Sequence, residues 1–131
     1  MQIKVSVLLV NDQEKALRFY TEKLGFVKKT DMQDGTTAMR ALTVVSPNNM
    51  EGMELELQAT YLTSAQAWQK DQYQVGFAYT MLYTDDIDAE YKRLKKLGVV
   101  FHGEPYDAGP VFTVKFEDTC GNLINLIQTK A

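Results

Sequence analysis

The sequence predicts an α+β fold in which one strand–helix–strand–strand–strand unit is used twice. Three observations predict it. Val10-Asn11-Asp12 opens a helical stretch that closes at Leu24-Gly25-Phe26-Val27, and Thr84-Asp85-Asp86 opens a second that closes at Leu97-Gly98-Val99-Val100. Asp12 precedes its glycine by thirteen residues and Asp86 precedes its own by twelve. Each copy follows an apolar, strand-like run and is followed by three further strand candidates separated by turn residues.

The first element is the apolar run Val5–Val10, read as a strand. Asp12 then caps the orphan amides of a helix start, where its charge also suits the positive end of the helix dipole. Ala16, Phe19, Tyr20 and Leu24 recur at helical spacing, and Gly25 supplies the left-handed residue that ends the helix. Strands are expected at Val27–Gln33, Thr37–Val45 and Met53–Gln58, broken by Asp34-Gly35 and by Ser46-Pro47-Asn48-Asn49. Residues 59–76 form a linker, with a short helix around Ser64–Asp71.

The second copy repeats the scheme. Asp86 caps a helix with Ile87, Tyr91, Leu94 and Leu97 on one face, Lys95 and Lys96 lie in its last turn, and Gly98 ends it. Strands are expected at Val99–Tyr106, Val111–Glu117 and Asn122–Gln128, broken by Gly109-Pro110 and by Asp118-Thr119-Cys120-Gly121. Both copies fit one domain of 131 residues: module one about 1–58, the linker, and module two about 77–131.

Composition narrows the function. A hydrophobic fraction of 45% supports a real core. A net charge of −3 without a basic block argues against a nucleic-acid partner, which needs a basic face to neutralise phosphates. A single cysteine rules out an internal disulfide and fits a reducing compartment. The apolar run Val5–Val10 is too short for a signal peptide, and no segment approaches the roughly 20 apolar residues of a membrane span. A cytoplasmic protein with no membrane partner is expected.

Val7-x-Leu9-Val10-x-Asp12, Phe19-Tyr20, Leu24-Gly25-Phe26, Asp85-Asp86-Ile87-Asp88 and the ending Asp118-Thr119-Cys120-Gly121-Asn122-Leu123-Ile124-Asn125-Leu126-Ile127 carry a likeness. Together they resemble the vicinal oxygen chelate superfamily, which includes glyoxalase I, bleomycin and fosfomycin resistance proteins and extradiol dioxygenases. The likeness covers essentially the whole chain. It implies two modules whose cupped mixed sheets enclose a cleft, and a homodimer. It also implies metal ligands at positions that here carry Val5, Glu56, Tyr79 and Asn125. Only Glu56 keeps a charged, ligand-type side chain, so the chain resembles a branch lacking the usual metal site.

Ligand chemistry gives the same expectation. A non-haem iron triad takes two histidines and a carboxylate, and catalytic zinc takes about three ligands from His, Glu, Asp and Cys. The chain has one histidine, His102, and one cysteine, Cys120. No metal and no cofactor are expected. Glu51, Glu54 and Glu56 are close in sequence, but they also read as the polar side of an alternating strand.

Strand alternation turns each aligned position into a row. The rows are Ile3, Val5, Val7, Leu9; Glu54, Glu56, Gln58; Phe77, Tyr79, Met81, Tyr83; and Leu123, Asn125, Ile127. An apolar, aromatic wall with a few polar groups is the make-up of a small-molecule site. The expected function is therefore metal-independent binding of a small, partly apolar organic ligand, as in the antibiotic-sequestering relatives. A metal-dependent lyase, isomerase or dioxygenase is the alternative.

Glu56 is the leading candidate for a catalytic role, with Tyr79, Asn125 and Val5 beside it. Glu56 also reads as a remnant paired with Arg40 or a tyrosine hydroxyl. Arg40, mid-strand among apolar neighbours, is a candidate anchor for an anionic ligand group or half of a local ion pair. His102, the one imidazole of the chain, is a candidate site residue, and Trp68 on the linker helix reads equally as a lid or as packing. Cys120 has nothing nearby in sequence to depress its thiol pKa.

Overall fold

The computed structural model of the chain describes residues 1–33, 35–36 and 39–130. The chain folds into two compact units, Met1–Ala67 and Trp68–Ala131.

The first unit begins with β1 (Val5–Val10), helix α1 (Gln13–Arg18) and a π-helical stretch, Phe19–Lys23. β2 (Val27–Gln33), β3 (Arg40–Val45), β4 (Glu54–Ala59) and the start of α2 (Thr63–Gln74) follow. The Asp12 side chain accepts from the Lys15 amide at 3.0 Å, the expected N-cap. Gly25 has φ +87°, and the Phe26 amide donates to the Tyr20 carbonyl at 3.0 Å, so the chain leaves the helix by a left-handed turn. The sheet order is β1-β4-β3-β2, with β1 parallel to β4 and the other pairs antiparallel. Leu8, Val10, Leu42, Val44 and Leu57 bury one face of that sheet, joined in the core by Ala16, Phe19 and Tyr20 of the helix. The strand expected from Thr37 begins at Arg40 among the described residues; Thr37, Ala38 and the Asp34 of the expected Asp34-Gly35 turn lie outside them.

The second unit takes in the rest of α2, then β5 (Ala78–Tyr83), α3 (Ile87–Lys96), β6 (Tyr106–Asp107), β7 (Val111–Glu117) and β8 (Leu123–Thr129). Its order, β5-β8-β7-β6, repeats that of the first. The Asp86 side chain accepts from the Ala89 amide at 3.0 Å, and Gly98 has φ +88°, so both helix signals recur. The Gln128 side chain adds a second cap by accepting from the Ile87 amide at 2.8 Å. Ile124, Leu126, Val114 and Phe116 form the buried sheet face, on the side that meets α3.

One expected strand differs. Val99–Tyr106 shrinks to the two-residue β6 and an isolated bridge between Phe101 and Phe116. Gly103, at φ +102°, leaves the β region, and Pro105 has no amide to give to a ladder. The linker helix is longer than expected, at Thr63–Gln74. No helix among the described residues is long and apolar enough to cross a membrane.

Candidate functional site

The register of β1, β4 and β3 places Glu56 at the centre of a sheet face. Val7 is its partner on one side and Thr43 on the other. The rung above holds Val5, Glu54 and Val45, and the rung below holds Leu9 and Gln58. Directly paired residues present their side chains on one face, so Glu54, Glu56 and Gln58 all point away from the buried Leu57. Val5, the first-strand ligand position on the resemblance, pairs with Glu54, and Val7 is the residue that pairs with Glu56.

The two glutamates differ in their surroundings. Glu54 accepts a hydrogen bond from the Thr43 hydroxyl at 2.8 Å, and that hydroxyl oxygen in turn accepts from the Thr30 amide at 3.1 Å. The Glu56 carboxylate has neither a hydrogen bond nor an ion pair with any described residue; no arginine or tyrosine pairs with it. It lines a hollow of about 440 Å³ whose other walls include Met32, Met39, Ala41, Gln58 and Tyr61. Ala41 pairs with Met32 across the β2–β3 hairpin, which sets both on this wall. Tyr61, in the loop after β4, is fixed by the Arg40 amide, which donates to its hydroxyl at 3.2 Å.

Arg40 also borders the hollow, but its guanidinium is engaged elsewhere. It donates to both carboxylate oxygens of Asp31 at 2.8 Å each and to Glu14 at 3.0 Å. The bidentate bond from Arg40 holds the Asp31 carboxyl down at about 2. The same pairing pushes the Arg40 pKa up.

In the second unit Asn125 occupies the rung equivalent to Glu56, between Met81 on β5 and Lys115 on β7. Tyr79 sits at a register shift between Ala78 and Thr80, and its ring meets Trp68 edge-on at 5.1 Å. Trp68 and Tyr79 are therefore packing partners. On the next rung Thr113 lies between Ile127 and Tyr106, and its buried hydroxyl has no hydrogen-bond partner among the described residues. His102 lies 3.1 Å from a Glu117 oxygen, and the Tyr73 hydroxyl donates to the same carboxylate at 2.8 Å, which raises the tyrosine pKa. Cys120 is fully buried in the turn from Asp118 to Asn122. The Asp118 carboxylate accepts from the Cys120 amide at 2.7 Å and the Asn122 amide at 3.0 Å there.

Three comparisons bear on what this site is. The profile of the Glyoxalase/Bleomycin resistance protein/Dioxygenase superfamily matches residues 2–126, nearly the whole chain. The chain belongs to that superfamily. It is similar to the uncharacterised protein YurT of Bacillus subtilis (strain 168), at 45% identity over 128 residues covering 98% of this chain and 99% of that one. Among solved structures it is similar to UcmS2, with TM-score 0.81, 31% identity and 97% of each chain covered. It is also similar to TnmS3, an antibiotic binding protein from Streptomyces sp. CB03234, with TM-score 0.77, 27% identity, and 99% of this chain and 97% of that one covered.

The superfamily includes metal-dependent enzymes, so the donor set must be tested against a metal. Glu56 is flanked in register by Val7, which has no donor atom, and by Thr43, whose hydroxyl is engaged with Glu54. Asn125 is flanked in register by Met81 and by Lys115, which offers no anionic donor and whose ammonium donates to the Gly76 carbonyl. Glu51 is turned to solvent opposite Lys29, at 3.6 Å. Among the described residues no three His, Cys, Asp or Glu side chains converge. These residues do not fit a transition ion.

Sequence reasoning reaches Glu56 and Gln58 but misses Met32, Met39, Ala41 and Tyr61. The β2–β3 alternation carries a signal for Met32 and Ala41. Tyr61 carries none, because a loop residue has no periodicity to read.

Proposed function

We propose that the protein binds a small, partly apolar organic molecule in the hollow beside Glu56, without a metal. One observation carries this reading: an unpaired carboxylate stands in a hollow of about 440 Å³ walled by two methionines and a tyrosine. That volume lies within the roughly 300–1,000 Å³ of small-molecule sites, and an apolar wall with few polar groups is their usual composition. Methionine adapts its shape to a ligand, and tyrosine offers a flat face with a polar tip. The likeness to an antibiotic binding protein supports a binding role.

Arg40 and Tyr61 frame the hollow in this proposal, while Trp68 and Tyr79 meet edge-on and His102 lies against Glu117 in the second unit. Asn125, on the rung equivalent to Glu56, is a secondary candidate within the second unit. A homodimer belongs to the same reading, supported by Ile3, Val5 and Val7, which lie exposed on or beside edge strand β1.

A thermal-shift screen of metabolites and drugs against the wild type and Ala41→Phe tests the proposal. Phenylalanine at this position would fill the hollow from its floor. Ligands that stabilise the wild type and not the variant support the reading. A panel in which every stabilising compound acts equally on both proteins would overturn it.

A further inference from the structure

We propose that the ligand of this hollow carries a positive charge, an ammonium or amidinium group, beside a flat apolar body. The inference rests on the binding function proposed above and specifies the class of molecule bound.

The starting point is charge balance on one sheet face. Glu54 and Glu56 share that face two residues apart, about 6–7 Å along the strand. Their in-register neighbours are Val5, Val7, Thr43 and Val45, none of them cationic. The bases nearest in the fold are committed elsewhere. Arg40 is held by Asp31 and Glu14, Lys28 by Asp31 at 3.4 Å, and Lys29 reaches the Met50 carbonyl at 3.2 Å and Glu51. Lys4 donates to the Glu51 carbonyl at 2.7 Å.

Glu54 has the Thr43 hydroxyl as a donor, whereas Glu56 has no donor at all among the described residues. A carboxylate in a partly enclosed apolar hollow, beside a second negative charge, is completed by a cation or by strong N–H donors. Gln33 and Gln58 also line the hollow, and a neutral amide does not repel the cation. Met32, Met39 and Tyr61 provide the apolar surface against which a planar body packs. An anionic ligand meets the Glu56 carboxylate, while the Arg40 that borders the hollow is already held by Asp31 and Glu14, so such a ligand is rejected.

The test uses three probes of one shape: 2-naphthylmethylamine, 2-naphthalenemethanol and 2-naphthoate. Each is titrated into the ¹⁵N-labelled full chain, and the Ala41, Glu56 and Gln58 amides are followed. The amine is expected to bind roughly 10- to 100-fold more tightly than the alcohol. The gap should shrink in Glu56→Gln and with added salt, and Glu56→Lys should shift the preference to naphthoate. Equal binding of amine and alcohol, unchanged by Glu56→Gln, overturns the charge inference and leaves the binding function standing. If no probe moves these amides, the binding function falls and the inference falls with it.

Discussion

Replacing Gly121 by alanine separates two costs that usually arrive together. Gly121 has φ +98°, and a Cβ placed there would stand 2.8 Å from Cδ and Oε1 of Gln69 and 2.9 Å from its Nε2. The Gln69 amide is the end of a flexible side chain, so it could swing aside. It is buried, however, and it donates to the Cys120 carbonyl and the Asn122 side-chain oxygen, both at 3.1 Å. Moving it gives up those bonds, at about 1–2 kcal/mol. The backbone strain of a non-glycine residue at this φ adds about 1–2 kcal/mol.

Gly98 provides the control. It has φ +88°, yet an added Cβ there would meet nothing within 4 Å, so Gly98→Ala carries the strain alone. Urea unfolding should therefore show Gly121→Ala costing about 2–4 kcal/mol and Gly98→Ala about 1–2 kcal/mol. In a Gln69→Ala background the excess at position 121 should vanish, because the obstructing amide is gone. Equal costs at the two glycines, or an excess that persists without Gln69, would refute the close-contact argument.

Thr113→Val keeps the side-chain shape and removes a buried hydroxyl without a partner, so it should raise stability by about 1 kcal/mol in urea unfolding. The Asp31 carboxyl titrates at about 2 against a reference of 3.8, so its ion pair stabilises the fold fully above pH 4 and is lost as pH falls through 2. The pair is partly exposed; after solvent screening it is worth about 1 kcal/mol, and acid titration of Asp31→Asn should show a correspondingly smaller loss over that window. Ultraviolet titration should find the Tyr73 phenol ionising above 10 and returning toward 10 in Glu117→Gln.

The parts of the fold written in local chemistry are legible in the sequence. Asp12 and Asp86 cap their helices through bonds three residues away, and Gly25 and Gly98 end those helices with their own backbone angles, so neighbouring residues suffice to place them. Val99–Tyr106 reads as a full strand because its apolar start, Val99-Val100-Phe101, outweighs Gly103 and Pro105, which interrupt the ladder in the fold. The site is half legible. Alternation puts Glu54, Glu56 and Gln58 on one face, but the partners of Arg40 come from α1 and β2, and only the fold brings Glu14 and Asp31 to it. The displacement of Tyr79 onto Trp68 follows from a register shift that strict alternation does not anticipate.

Calorimetric titration of the tightest ligand from the screen into chelator-treated protein tests the central claim most directly, repeated after adding zinc, nickel, manganese or iron(II). The account predicts the same dissociation constant in every case, weakened by Ala41→Phe. Binding that appears only with one of these ions, together with a stoichiometric metal lost in Glu56→Ala, would contradict it.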